Sequence, residues 1–125
     1  MKILGNILWL IFGGVATALE YFTSGFILCL TIIGIPFGLQ IFKLGILALW
    51  PFGSTVTNKQ TTGGCLNLFM NVLWLIVGGI WIMLTHLLFG VLCCITIVGI
   101  PFGLQHFKLA GLALSPFGKD INGLY

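Results

Sequence analysis

Charge is what this sequence has least of. Lys, Arg, Asp and Glu make up 6% of its 125 residues: five cations, all lysine, and two acids, for a net charge of +3. A soluble domain carries about 25% charged residues, so a soluble globular domain is excluded. Nucleic-acid binding is excluded too, because five separated lysines make no basic patch. Groups for acid–base chemistry are equally scarce. Two acids and two histidines supply no paired carboxylates, no Ser/His/Asp set and no metal cluster, and the chain has no phosphate loop. No enzyme and no cofactor are expected. The four cysteines, Cys29, Cys65, Cys93 and Cys94, form no CxxC and no zinc spacing. They read as reduced thiols acting as small hydrophobes. What is present excludes disorder: 59% of residues are hydrophobic and 14% aromatic. A small integral membrane protein remains, with the lipid bilayer as its first partner.

The sequence repeats itself at a shift of 65 residues. Asn6 to Gly53 aligns without a gap on Asn71 to Gly118, and 28 of those 48 positions are identical. Three blocks carry the match. Asn6-Ile-Leu-Trp-Leu-Ile-Phe-Gly-Gly14 matches Asn71-Val-Leu-Trp-Leu-Ile-Val-Gly-Gly79. Gly34-Ile-Pro-Phe-Gly-Leu-Gln40 matches Gly99-Ile-Pro-Phe-Gly-Leu-Gln105, each followed by Phe-Lys-Leu. Pro51-Phe-Gly53 matches Pro116-Phe-Gly118. Trp, Pro, Gln and Lys at fixed offsets mark a tandem duplication. It divides the chain into a first repeat (1–53), a polar linker (54–68), a second repeat (69–118) and a tail (119–125). Lys2, the apolar run after it and Ala16-Thr17-Ala18 imitate a signal peptide. The copy at residues 71–84 instead marks the segment as an uncleaved first helix.

Each repeat holds two apolar stretches. The first, about Ile3 to Phe22 and Phe69 to Leu87, matches one bilayer core of roughly 30 Å. The second, Gly25 to Trp50 and Gly90 to Ser115, would reach roughly 39 Å as one helix, so it overshoots, breaks or bends. Four membrane-spanning segments are expected, with outer turns near Glu20–Ser24 and His86–Phe89. Two spans per repeat put Lys2, Lys59 and Lys119 on one side, the cytoplasm by the positive-inside rule. That predicts an all-α membrane protein of two parallel helical hairpins, related by a pseudo-twofold along the membrane normal, with both termini cytoplasmic.

The Gly-Ile-Pro-Phe-Gly element is the candidate break. Counted from a turn at Ser24, Pro36 falls about 18 Å deep, where a proline frees a carbonyl that must find a partner. Thr31 and Thr96 could supply hydroxyls. Gly34, Pro36, Gly38 and Gln40, with Gly99, Pro101, Gly103 and Gln105, are therefore candidates either for a constriction in a permeation path or for a kink that packs a neighbouring helix. Lys43 and Lys108 share a helix face with the glutamines. They are candidates for a pore mouth or for snorkelling interface anchors. Glu20 and His86 both fall at the expected outer turns, as a pair that could titrate or as solvated loop residues. His106 stands where the first copy has Ile41, so the duplication does not require it. Asn6 and Asn71 read as helix caps or interfacial groups, Trp9 and Trp74 as interface anchors or packing residues, and Trp50 with Pro-Phe-Gly as a helix stop.

These three blocks resemble the YccF family of bacterial inner-membrane proteins, whose members typically carry this domain twice. The resemblance covers nearly the whole chain, Asn6 to Gly118. It implies a multi-pass bacterial cytoplasmic-membrane protein and no catalytic residues. Trp50 against Ser115 and Glu20 against Thr85 break the internal symmetry, so neither is a requirement of both repeats. Eighteen glycines suit close helix contacts and a homo-oligomer. Two functions are open: a small pore or transporter for ions or solutes, and a non-conducting accessory subunit of a larger membrane complex, which would add a membrane-protein partner.

Overall fold

The computed structural model describes residues 2–58, 65–117 and 119–122. Each repeat is a long helix followed by a short one that returns along it. In the first repeat α1 (Lys2–Trp9) runs through a π-helical turn, Leu10–Gly14, into α2 (Val15–Cys29), and α3 (Ile35–Leu49) returns. In the second, α4 (Cys65–Trp74), a π-helical turn at Leu75–Gly79 and α5 (Ile80–Cys94) precede α6 (Ile100–Leu114). Two short strands, β1 (Thr55–Asn58) and β2 (Lys119–Asn122), pair antiparallel, a small sheet added to the expected all-helical chain. Ile3–Cys29 and Cys65–Cys94, 27 and 30 residues, are long and apolar enough to cross a membrane. The returning helices have 15 residues each. At 1.5 Å per residue they reach about 22 Å, short of a roughly 30 Å hydrocarbon core.

The reversals lie one helical segment later than expected. Glu20–Ser24 and His86–Phe89 are helix interior, and Gly25–Cys29 continues α2. The chain turns at residues 30–34 and 95–99. Pro36 and Pro101 then sit in the first turn of α3 and α6. Proline suits that position because its missing N–H has no partner to lose there. Gly-Ile-Pro-Phe-Gly is thus a helix start, not a kink within a helix. The second apolar stretch is broken where the motif begins, with Gly34 and Gly99 closing the two turns. The irregular turns are in the long helices instead, at the Gly-Gly pairs. At Phe12 (φ −87°, ψ 25°) and Gly13 (φ 116°) the backbone leaves helical geometry altogether.

The two hairpins run antiparallel, which corrects the expected parallel pairing. Ser24 lies against Gly78, Gly13 against Phe89, and the Cys93 thiol points at the Phe12 carbonyl. As one long helix is followed forwards, the other is met in reverse. Phe37, beside the first reversal, packs on Phe117 at the base of the second repeat, and Phe102 packs on Phe52 likewise. The pseudo-twofold crosses the long helices rather than running along them. Equivalent residues meet on it: Glu20 with Thr85, Tyr21 with His86, and Val56 with Ile121 in the strand pair. Of the three lysines expected on one side, Lys59 lies outside the described residues and Lys119 opens β2. In the fold Lys43 and Lys108 come to the flank that carries the strands, at mid-length.

The core is built of Trp9, Trp74, Tyr21, Ile41, Leu44, Leu47 and Ile82, each essentially fully buried. Within a hairpin the backbones touch: a Cβ on Gly25 would lie 3.1 Å from the Gly38 carbonyl, and one on Gly103 2.7 Å from that of Gly90. Small residues at these sites let helices approach without side chains between them.

Candidate functional site at the pseudo-twofold axis

The repeated Asn-x-x-Trp pair holds the end of each returning helix. Asn6 donates from Nδ2 to the Phe52 carbonyl (3.0 Å) and accepts the Phe52 N–H at Oδ1 (2.9 Å). Asn71 does the same with Phe117, at 3.2 and 3.0 Å. One turn on, the indole N–H of Trp9 donates to the Ala48 carbonyl (2.5 Å) and that of Trp74 to Ala113 (2.7 Å). The Ala48 and Ala113 carbonyls are among the orphan groups that a helix C-terminus leaves open, and the Phe52 and Phe117 peptide groups lie in the turn just beyond it. In a chain surrounded by lipid they need a protein partner. The asparagines therefore clamp a turn and do not cap their own helix. The tryptophans are buried packing residues. Pro-Phe-Gly supplies the peptide group that each Asn reads.

Between the clamps runs a buried chain of hydrogen bonds. Tyr21 Oη lies 3.2 Å from His86 Nε2, His86 Nδ1 lies 3.0 Å from His106 Nδ1, and His106 Nε2 lies 2.8 Å from the Phe12 carbonyl. Both histidines are fully buried. A carbonyl can only accept, so His106 donates from Nε2. With both rings neutral the remaining roles follow: His86 donates from Nδ1 to His106, and Tyr21 donates to His86. All four ring nitrogens of the two histidines are then satisfied. The last acceptor, the Phe12 carbonyl, belongs to the distorted turn before Gly13. The His106 ring lies between Trp9 and Phe89, at centroid distances of 4.1 and 5.7 Å. Position 41, its equivalent in the first repeat, is a fully buried Ile. The second long helix keeps helical geometry at its own Gly-Gly pair, Gly78–Gly79, with no positive φ there.

Glu20 and His86 are both on the axis, yet they are not partners at an outer turn. Glu20 accepts from the Thr85 hydroxyl (3.0 Å), while His86 engages Tyr21 and His106. A twofold brings each axial residue against its own equivalent, 65 positions away, which is why the expected cross-pairing fails. The second carboxylate oxygen of Glu20 is buried without a hydrogen-bond partner. The residue lines a recess of about 260 Å³ with Thr23, Ser24 and Trp81.

The two candidate constrictions are not brought together. Gly34, Pro36 and Gly38 start α3 at one end of the bundle, and Gly99, Pro101 and Gly103 start α6 at the other. Gln40 reaches across repeats, donating to the carbonyls of Lys119 (3.0 Å) and Pro116 (3.4 Å). Lys43 is exposed beside it. Gln105 and Lys108 line a cavity of about 720 Å³ with residues 51–56, Leu47 and Lys119. Thr31 does supply its hydroxyl, donating to the Leu28 carbonyl (3.1 Å) and accepting the Gly34 N–H (3.0 Å), and Thr96 repeats this. Among the described residues no group of three His, Cys, Asp or Glu side chains could hold a metal ion. The sequence reading missed the His86–His106 contact. Its signal was there: the second copy departs from the first at Tyr21 to His86 and at Ile41 to His106, two new histidines in one repeat.

The profile of the inner membrane component domain YccF matches residues 4–54 and again 69–119. This chain belongs to the YccF family. It is similar to the inner membrane protein YccF of Escherichia coli (strain K12), with 31% identity over 97% of this chain and 87% of that protein. The inner membrane protein YccF of Shigella flexneri matches to the same extent. No solved structure matches. The YccF relatives are inner-membrane proteins, and a helical, strongly apolar chain fits that bilayer.

Proposed function

We propose that this YccF chain is a non-catalytic, non-conducting component of the inner membrane that packs into a larger membrane assembly. One observation carries the reading. The place where two hairpins could leave a path is filled by Trp9, Trp74, Tyr21, His86 and His106, all buried. The Gly-Ile-Pro starts that would have formed a constriction stand at opposite ends of the bundle. The two histidines are spent on internal hydrogen bonds rather than aimed into a pocket. The strand flank with Lys43, Lys108 and Lys119 faces the cytoplasm on this reading.

A second reading has its own observation. Gln40, Lys43, Lys108 and the exposed threonines of β1 share one flank. Several copies facing inward on it would form a homo-oligomeric pore whose lysines favour anions. Ion flux through purified protein in liposomes separates the two. Background flux from folded, inserted protein is the expected result. Selective flux that changes in Lys43→Ala/Lys108→Ala would replace the first reading with the second.

A further inference from the structure

We infer that the chain lies flat in the membrane, embedded from one face, with its helices near the membrane plane and the β1–β2 pair on the aqueous side. Three observations meet in this placement. The first is where the polar flank sits. The strand pair is centred on Val56 and Ile121, on the same axis as Tyr21 and His86, so it lies beside the bundle at mid-length and not at an end. Were the long helices to stand along the membrane normal, this pair would fall near the bilayer centre. There the β1–β2 pair and the exposed Lys43 and Lys108 would meet hydrocarbon. Unpaired edges and charged side chains are excluded from lipid-facing positions at that depth.

The second observation is that both ends of the bundle are apolar. Ile32 is 88% exposed at one reversal and Ile97 87% at the other. Leu30 and Ile33, then Ile95 and Val98, surround them and are also exposed. Beside each reversal the opposite repeat begins its long helix, with exposed Ile3 and Leu4 at one end and Leu66 and Leu68 at the other. Upright helices would push these residues toward water on both sides. Ile3 to Cys29 alone spans about 40 Å of helix, roughly 10 Å more than a hydrocarbon core. Lying flat, the ends and the Val15, Leu19, Ile80 and Leu84 face stay in lipid while the strands stay in water.

The third is how the reversals are wired. The N–H groups of Leu30 and Thr31 donate back to Ile27 and Leu28, that of Ile35 to Ile32, and the Thr31 hydroxyl joins Leu28 to Gly34. The second reversal repeats the pattern through Thr96. Bonds made within the turn lower the cost of placing it in lipid. Glu20 does not discriminate, because it lies near mid-bilayer in either orientation. The placement goes with the non-conducting reading, because upright copies facing inward on this flank would keep it in a water-filled path instead.

Polarised infrared spectroscopy of the full chain in oriented bilayers tests it. The helix amide I transition follows the helix axis, so flat helices give a dichroism below the isotropic value. Dichroism above that value, from upright helices, overturns the placement. Ile32→Cys and Ile97→Cys in a background cleared of native cysteines give a second readout. With a membrane-impermeant maleimide added to either side of proteoliposomes, both are expected to label only at background, while Thr57→Cys labels from one side. Labelling of either reversal by the impermeant reagent also overturns it.

Discussion

Replacing Asn6 by Leu isolates the clamp that closes the first repeat. The side chains are similar in size, so the change removes two hydrogen bonds and little volume. It strands the Phe52 N–H and carbonyl, which Asn6 holds at 2.9 and 3.0 Å from a fully buried position. An unsatisfied buried backbone group costs about 1–3 kcal/mol. Two such groups, offset by the gain of burying Leu, predict a loss of about 2–4 kcal/mol. That moves the unfolding equilibrium by roughly 30- to 1,000-fold, at 1.4 kcal/mol per tenfold. Asn6→Asp keeps the acceptor for Phe52 N–H but loses the donor and adds charge, so it should not rescue. Asn71→Leu is the internal control, since Asn71 makes the same pair with Phe117 and should lose a similar amount. Reversible unfolding in mixed micelles, read by the fluorescence of Trp9 and Trp74, measures all three. A change within about 0.5 kcal/mol for Asn6→Leu, the usual range of a surface substitution, would refute the clamp.

Other consequences concern the axis. His106→Ile adopts the residue of the first repeat and leaves His86 Nδ1–H and the Phe12 carbonyl without their mate, so about 2–5 kcal/mol of stability should be lost. His86→Phe/His106→Ile should cost less than the sum of its single changes by about 1 kcal/mol or more in the same unfolding assay; additivity would mean the two rings act independently. Gly13→Ala should destabilise by roughly 2–4 kcal/mol, because Gly13 has φ 116° and a Cβ there would lie 2.7 Å from the Phe89 ring. Gly78→Ala, which crowds Ser24 and Trp74 but has no positive φ, should cost less. Equal losses on thermal unfolding would remove the special role of the Phe12–Gly13 turn.

The duplication, the helical character and the membrane setting were all legible in the residues, because identity at a fixed offset and scarcity of charge survive any error in placing turns. The position of the turns was not. The apolar run through Phe22 to Cys29 has no Gly-Pro signal to stop it, so the helix continues to Cys29 and the chain turns only at residues 30–34, just ahead of the proline that opens α3. That shift of one helical segment changed the meaning of Glu20 and His86 from loop residues to buried axial ones. The hand of the pairing was hidden for a different reason. Whether two like hairpins run parallel or antiparallel depends on which faces fit, and both hairpins carry nearly the same faces. Only the differences between the copies pointed to it: His106 has a partner only if α6 lies against the Trp9–Phe12 segment of the other repeat. The Asn-x-x-Trp and Pro-Phe-Gly blocks were seen as repeated motifs but not as partners, since 39 to 46 residues separate the atoms that meet.

The antiparallel pairing of the repeats is the claim on which the axis, the polar flank and the filled interior all depend. A distance between the two reversals tests it most directly. Spin labels at Ile32→Cys and Ile97→Cys, with the native cysteines removed, would be measured by pulsed electron paramagnetic resonance in lipid nanodiscs. Contacts such as Phe12 with Cys93 and Ser24 with Gly78 put the reversals some 24 helical residues apart, about 36 Å at 1.5 Å per residue. A distribution centred near that value is expected. One centred under about 15 Å, the separation of side-by-side reversals in neighbouring parallel hairpins, would contradict the account.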